Sequence, residues 1–164
     1  MINGDVYTMD LDKIGSGILF IDNFSNILLL KRSEICSYSG FWCVPGGKVD
    51  RSDYNILKSF DDSILAGAKR ELFEETNIKI SYLKDAKFIN FIDTNTHYYY
   101  RTHIYSVSES DKILINKELK IDKEHSDWKW QSISNIILNK DVIHPGLLET
   151  VNIFLRGLNV CRGK

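Results

Sequence analysis

The chain has few of the residues that break or staple a fold. Its 164 residues include two prolines, Pro45 and Pro145, and three cysteines, Cys36, Cys43 and Cys161. With no linker, repeat or low-complexity tract around them, the prolines mark no boundary, and one domain over 1–164 is expected. An odd count of cysteines without C-x-x-C spacing argues against a disulfide framework and against a zinc site. Cys43 reads as a small buried hydrophobe, and no basic partner for a thiol nucleophile stands out. The four histidines, His97, His103, His125 and His144, show no i, i+4 pairing. No apolar run approaches membrane-spanning length and Met1–Asp5 lacks a signal-peptide pattern, so cytoplasmic residence is the expectation. A net charge of −1 offers no global basic field for nucleic acid.

What is present fits a soluble globular protein, 43% apolar and 26% charged. Residues 16–21 and 26–31 read as a hairpin across a turn-rich Asp22-Asn23-Phe24-Ser25. Residues 42–44, 78–83, 87–93 and 128–131 read as further strands, and 98–107 is the most β-prone segment. A helix is predicted from an N-cap among Asp61, Asp62 and Ser63 to about Thr76, with Leu65, Ala68 and Leu72 as its apolar stripe. A short helix starts at Ser132, and a final helix runs from Pro145 to Leu158. Strands around a central helix with a helix at the end make an α/β arrangement.

Three glutamates stand out on the central helix. Glu71, Glu74 and Glu75 lie three and four residues apart and share one face. Carboxylates this close repel one another, so they make sense around a hard divalent cation such as Mg²⁺. Arg70 stands four residues before Glu74 and can pair with it. The alternative is an ordinary solvated helix rim.

Upstream, Phe41-Trp42-Cys43-Val44-Pro45-Gly46-Gly47-Lys48-Val49-Asp50 ends an apolar run in Pro-Gly-Gly. Taken with Arg70-Glu71-Leu72-Phe73-Glu74-Glu75, it resembles the Nudix hydrolase (MutT-like) signature: Gly, five residues, Glu, seven residues, Arg-Glu-aliphatic-x-Glu-Glu-x-Gly-aliphatic. Gly47 supplies the first Gly, and Asp62 stands seven residues before Arg70, where the isolated Glu is expected. Asn77 replaces the late Gly, at a position that needs a positive φ after the helix. Fourteen residues rather than five separate Gly47 from Asp62. The nine-residue insertion, within roughly 51–60, is expected beside the mouth of the site. Tyr54, Ile56, Leu57 and Phe60 give it apolar side chains that either meet substrate or fold back on the protein.

The resemblance implies an α/β/α sandwich around a mixed β-sheet and hydrolysis of a nucleoside diphosphate linked to another group. It implies that Glu71, Glu74, Glu75 and the carbonyl of Gly46 hold Mg²⁺, with Mn²⁺ as a possible substitute, and that Arg70 orients the glutamates. Glu124, on a loop ahead of Trp128, is the candidate further ligand or catalytic base, with Glu118 and Asp127 as alternatives. Tyr98, Tyr100 and Arg101 are the candidate substrate-binding residues; at a strand period of two, Arg101 faces away from the two tyrosines. Markers of the ADP-ribose and dinucleoside polyphosphate subfamilies are missing, since Asp93 and Thr94-Asn95-Thr96 stand at their places. A nucleoside triphosphate or related nucleotide is therefore the expected substrate. No membrane or general nucleic-acid partner is expected, and a homodimer is possible. The competing reading is a non-catalytic Nudix nucleotide-binding or regulatory module. An isomerase on the same fold has less support, because Cys43 alone does not supply its site.

Overall fold

The computed structural model describes residues 10–54, 59–80 and 87–161. At its centre lies β1 (Ile14–Asp22), buried along its whole length. Such a strand is covered on both faces, which is why it reads as an almost unbroken apolar run. It pairs parallel with β6 (Tyr98–Val107), from Ile14 opposite Tyr99 to Asp22 opposite Val107. On its other side it meets β2 (Asn26–Arg32) and β4 (Gly46–Lys48), both antiparallel. β3 (Trp42–Cys43) and β7 (His125–Ser132) pair with β2, and β5 (Lys87–Asp93) forms the edge beyond β6. One parallel pair among antiparallel neighbours makes this seven-stranded sheet mixed.

Alternation along β1 sorts the core into two layers. Ile18 and Phe20 face α1 (Phe60–Thr76) and α2 (Glu109–Glu118), packing with Ala68, Leu72 and Ile115. Leu19 and Ile21 face the other way, toward α3 (Ile133–Leu138) and α4 (Pro145–Cys161), with Ile136, Leu147 and Val151. The expected α/β/α sandwich is therefore the architecture observed.

Several boundaries differ from expectation. α1 starts at Phe60 because Ser59, not one of Asp61 to Ser63, accepts the capping bond from the Asp62 amide at 3.1 Å. Residues 78–80 are not a strand, and 81–83 lie outside the described residues. α2 was not anticipated, although Ser108 and Asp111 form a capping box at its start. Asn77 closes α1 in the left-handed region, at φ 61°, as its replacement of Gly required.

Candidate active site

The site begins at the Pro45-Gly46-Gly47 turn, whose glycines run antiparallel beside Ser16 and Gly17 of β1. Gly46 has φ 153°, and a β-carbon there would lie 2.6 Å from both the Ser16 carbonyl and the Tyr100 hydroxyl. No other residue fits that close approach. A β-carbon on Gly47 would meet the Glu71 carboxylate at 2.7 Å, so the turn rests directly on α1.

Arg70 organises that face of the helix. Its Nε and Nη2 donate to the two oxygens of Asp53 at 3.0 and 2.9 Å, a bidentate pair. Nη2 also donates to the Lys48 carbonyl at 3.0 Å, and Nη1 reaches Glu71 Oε1 at 2.9 Å and Glu74 Oε2 at 3.0 Å. These contacts employ all five guanidinium donors and leave none for substrate. Its partners hold the charge on Arg70, above all Asp53.

The partnership with Asp53 corrects the expected alignment. Asp62, placed by spacing at the supporting position, instead receives the Ser59 hydroxyl at 2.8 Å in the first turn of α1. Counted to Asp53, the five-residue spacing after Gly47 is kept, and the extra residues fall between Asp53 and Arg70. Spacing from Gly47 was the available signal, and the match at Asp62 concealed it. Of the expected insertion, residues 55–58 lie outside the described residues. Its Tyr54 and Phe60 stack at 6.5 Å, and Tyr54 packs against Ile14, Val49 and Ile64, away from the cleft described below.

Glu75 sits deepest of the three glutamates, 6% exposed. Its Oε2 accepts the Gly46 amide at 2.8 Å, and its Oε1 stands 3.9 Å from Nε2 of His125. Burial, then the charges of Glu71, Asp122 and Glu124, push its carboxyl up to about 9 against the Gly46 hydrogen bond. Burial raises Glu71 as well, despite Arg70. His125 is fixed by Asp122, whose Oδ1 lies 2.9 Å from Nδ1. Asp122 is brought there because its amide donates to the Glu75 carbonyl at 3.1 Å. Neither residue was singled out from the sequence, since scattered charges before a strand carry no periodic signal.

Glu124 is exposed on the loop before β7, where its carbonyl accepts the Ser33 amide at 2.8 Å. Of its alternatives, Glu118 ends α2, and Asp127 binds the next backbone amide at 2.8 Å.

Among the described residues no group of three or more His, Cys, Asp or Glu side chains is preassembled to hold a metal ion. Mg²⁺ does not need such a cage, because it keeps several waters and takes one or two carboxylates together with substrate phosphates. The donors fit that habit. Arg70 occupies one oxygen each of Glu71 and Glu74, and Gly46 one of Glu75. Buried carboxylates with raised pKa values are the groups a cation would relieve.

Beside the turn opens a cleft of about 730 Å³. Tyr98 and Tyr100 line it, standing on Gly15 and Gly17 of β1, whose β-carbons would meet their rings or hydroxyls at 2.6–2.9 Å. Burial raises both phenols, with Glu75 adding to Tyr100 and Glu71 to Tyr98. Arg101 does not share this cleft. Strand alternation turns it to the opposite face, where it pairs with Asp61, donates to Asn90 at 2.8 Å and lies 4.2 Å from the Phe88 ring centroid. The arginine that does line the cleft is Arg32, with Phe91 and His144 on neighbouring walls. The Gly-x-Gly of β1 was a readable sign of close approach within a strand.

A family model described as NUDIX domain matches residues 12–151. No curated protein matches the chain. Among solved structures, an Ap4A hydrolase from C. elegans is 18% identical, with a TM-score of 0.61 over 88% of this chain and 98% of that one. A MutT protein from Methanosarcina mazei Go1 is 25% identical, with a TM-score of 0.58 over 88% and 93%. The NUDIX domain of NrtR from Shewanella oneidensis, crystallised with ADP ribose, is 18% identical, with a TM-score of 0.57 over 95% and 94%.

Proposed function

The chain belongs to the Nudix family and is a hydrolase of the phosphoric anhydride bond; from that premise we propose a Mg²⁺-dependent pyrophosphohydrolase acting on a nucleoside triphosphate or related nucleotide. One observation carries the reading. A single guanidinium, anchored on Asp53 and the Lys48 carbonyl, uses its remaining two donors to hold two helix carboxylates beside a third, buried one, under a glycine turn. A structural ion pair does not require three carboxylates for one cation. The bound cation would neutralise diphosphate charge and lower the pKa of an attacking water.

In this reading Glu71, Glu74, Glu75 and the Gly46 carbonyl are the metal ligands, and Arg70 is a positioning residue with Asp53 behind it. Glu124 is a further ligand or accepts the proton from water. Tyr98 and Tyr100 form the wall along which the substrate lies. Arg32 replaces Arg101 as the cationic contact for phosphate, because it lines the cleft and Arg101 is committed to Asp61.

The test is product release from nucleoside triphosphates, nucleotide sugars, dinucleoside polyphosphates and capped RNA, with and without Mg²⁺. Turnover with Mg²⁺ that chelation abolishes is expected. Full activity after chelation would overturn the reading, and tight nucleotide binding without turnover over many hours would establish the binding module instead.

A further inference from the structure

Gly146 forms the floor of a gap between two rings. A β-carbon at Gly146 would lie 3.6 Å from Cζ of Phe91 and 3.3 and 3.5 Å from Nδ1 and Cε1 of His144. Ring atoms of Phe91, on β5, and of His144, just ahead of α4, thus approach one bare Cα, and all three residues line the cleft. Each ring is held by a second aromatic. Tyr100 stacks on Phe91, with centroids 5.6 Å apart and planes at 27°, and Tyr38 meets His144 edge-on at 4.7 Å.

Tyr38 is half-exposed and sits at φ 54°, a conformation that costs a bulky residue energy and is found where surroundings enforce it. The Gly146 amide donates to Nδ1 of His144 at 3.1 Å, which sets the ring and leaves Nε2 as its N–H in the neutral form. Burial, then Arg32, lowers the pKa of that imidazole from its usual value. Tyr100, by contrast, already has Gly15 against its ring and its hydroxyl between Gly17 and Gly46. Its role is to support Phe91 rather than to receive a ligand ring itself.

We propose that the gap between Phe91 and His144, over the Cα of Gly146, is the slot for the base of the nucleotide, and that the base is a purine. The proposal rests on the nucleotide-hydrolase reading and names the part of the substrate that selects it. A two-ring base gives the larger stacking surface, and aromatic stacking tolerates any base face while rewarding area. The carboxylates of Asp93 and Glu149 at the cleft are acceptors for the N–H groups of a purine edge. Asp93 accepts the Asn95 and Thr96 amides on Oδ1 at 2.9 and 3.3 Å, which leaves Oδ2 for that edge.

The experiment measures AMP and UMP binding by calorimetry in EDTA, so that neither metal nor turnover enters. Wild-type protein should bind AMP roughly tenfold more tightly than UMP. Gly146→Val fills the slot, and Phe91→Leu removes one wall; each should weaken AMP binding roughly tenfold or more. Phe88→Leu, on the opposite face of the same strand, should change nothing. Unaltered AMP affinity in both slot variants, equal affinity for UMP, or no AMP binding by the wild type at millimolar concentration would each overturn the slot. If Gly146→Val melts early, Phe91→Leu decides the matter. Glu74→Gln separates this inference from the one beneath it, because it should keep AMP binding in EDTA while losing Mg²⁺-dependent turnover. Slot binding with no hydrolysis of any nucleotide by the wild type would sink the hydrolase reading and leave the slot standing.

Discussion

The two ends of α1 carry networks of similar make-up and opposite balance. At the carboxyl-terminal end Arg70 stands among Asp50, Asp53, Glu71 and Glu74, one cation against four carboxylates, with Glu75 beyond. At the amino-terminal end Arg101 meets one carboxylate, Asp61, and completes its bonds with the neutral oxygens of Asn90 and Tyr99. A balanced network is complete in itself and holds elements together. A network with excess negative charge can take up a further cation, and that excess, rather than the presence of ion pairs, separates the two ends of the helix.

Removing a carboxylate from the unbalanced end should produce the largest effect. Glu75→Gln should lower kcat at saturating Mg²⁺ by more than the roughly hundredfold typical of losing an outer-shell partner. Melting of the metal-free protein should stay level or rise, since a buried, repelled acid is gone. Wild-type turnover would contradict the assignment of Glu75 as a ligand.

Next comes the choice between two aspartates. Asp53→Asn removes the charge behind Arg70 and should reduce turnover roughly 10–100-fold through slackened Glu71 and Glu74. Mn²⁺ affinity, followed by electron spin resonance, should weaken in parallel. Asp62→Asn should leave both quantities alone and lower Tm by a few degrees at most. The reverse pattern would restore the assignment read from spacing to Asp62.

The balanced end should yield a purely structural effect. Arg101→Leu strands Asp61, Asn90 and Tyr99, and should lower Tm by roughly 3–10 °C with kcat and KM intact. A rise in KM without loss of stability would return Arg101 to the substrate site.

The smallest effect belongs to His103, next to Arg101 on that face. It is 4% exposed, and its Nε2 has no partner among the described residues. Burial, then the charges of Arg101 and Lys69, hold its imidazole down at about 4 against an ordinary 6.5. The unfolded chain therefore takes up a proton first as pH falls. The contribution of His103 is whole above pH 6.5 and is lost between about 6.5 and 4. His103→Leu should flatten the fall of Tm over that window, and an unchanged slope would show that other groups govern it.

Much of the carboxylate region was legible in the sequence because it is local. Arg70 through Asn77 lie on one helix and its cap, where periodicity converts spacing into proximity. Strands β1, β2 and β6 were legible for the same reason, from apolar and β-prone runs. The parallel pairing of β1 with β6 was not, because no turn links them and no local pattern encodes register across so many residues. The wall of Phe91 and His144 depends on that pairing and on the placement of α4, and so escaped notice. Asp53 was missed because an equally acidic residue occupied a rival spacing, and Arg101 was misassigned although its alternation from Tyr98 and Tyr100 was already readable.

That central pairing also sets an order of assembly. The Arg70 bonds and the Gly46–Glu75 bond run among β1, β4, the turn at 51–53 and α1, all within residues 14–76, whereas Asp122 and His125 reach Glu75 from far along the chain. The cleft walls need β6 laid beside β1, Gly15 against Tyr100, and later still α4 beneath Phe91. Closing contacts that distant in the chain is slow, and during synthesis the partner strand leaves the ribosome long after β1. A chain that has not yet made β6 would leave one edge of apolar β1 unpaired, its other edge being taken by β2 and β4. Mutations that delay β6, rather than those in the reactive half, are where aggregation on expression should concentrate.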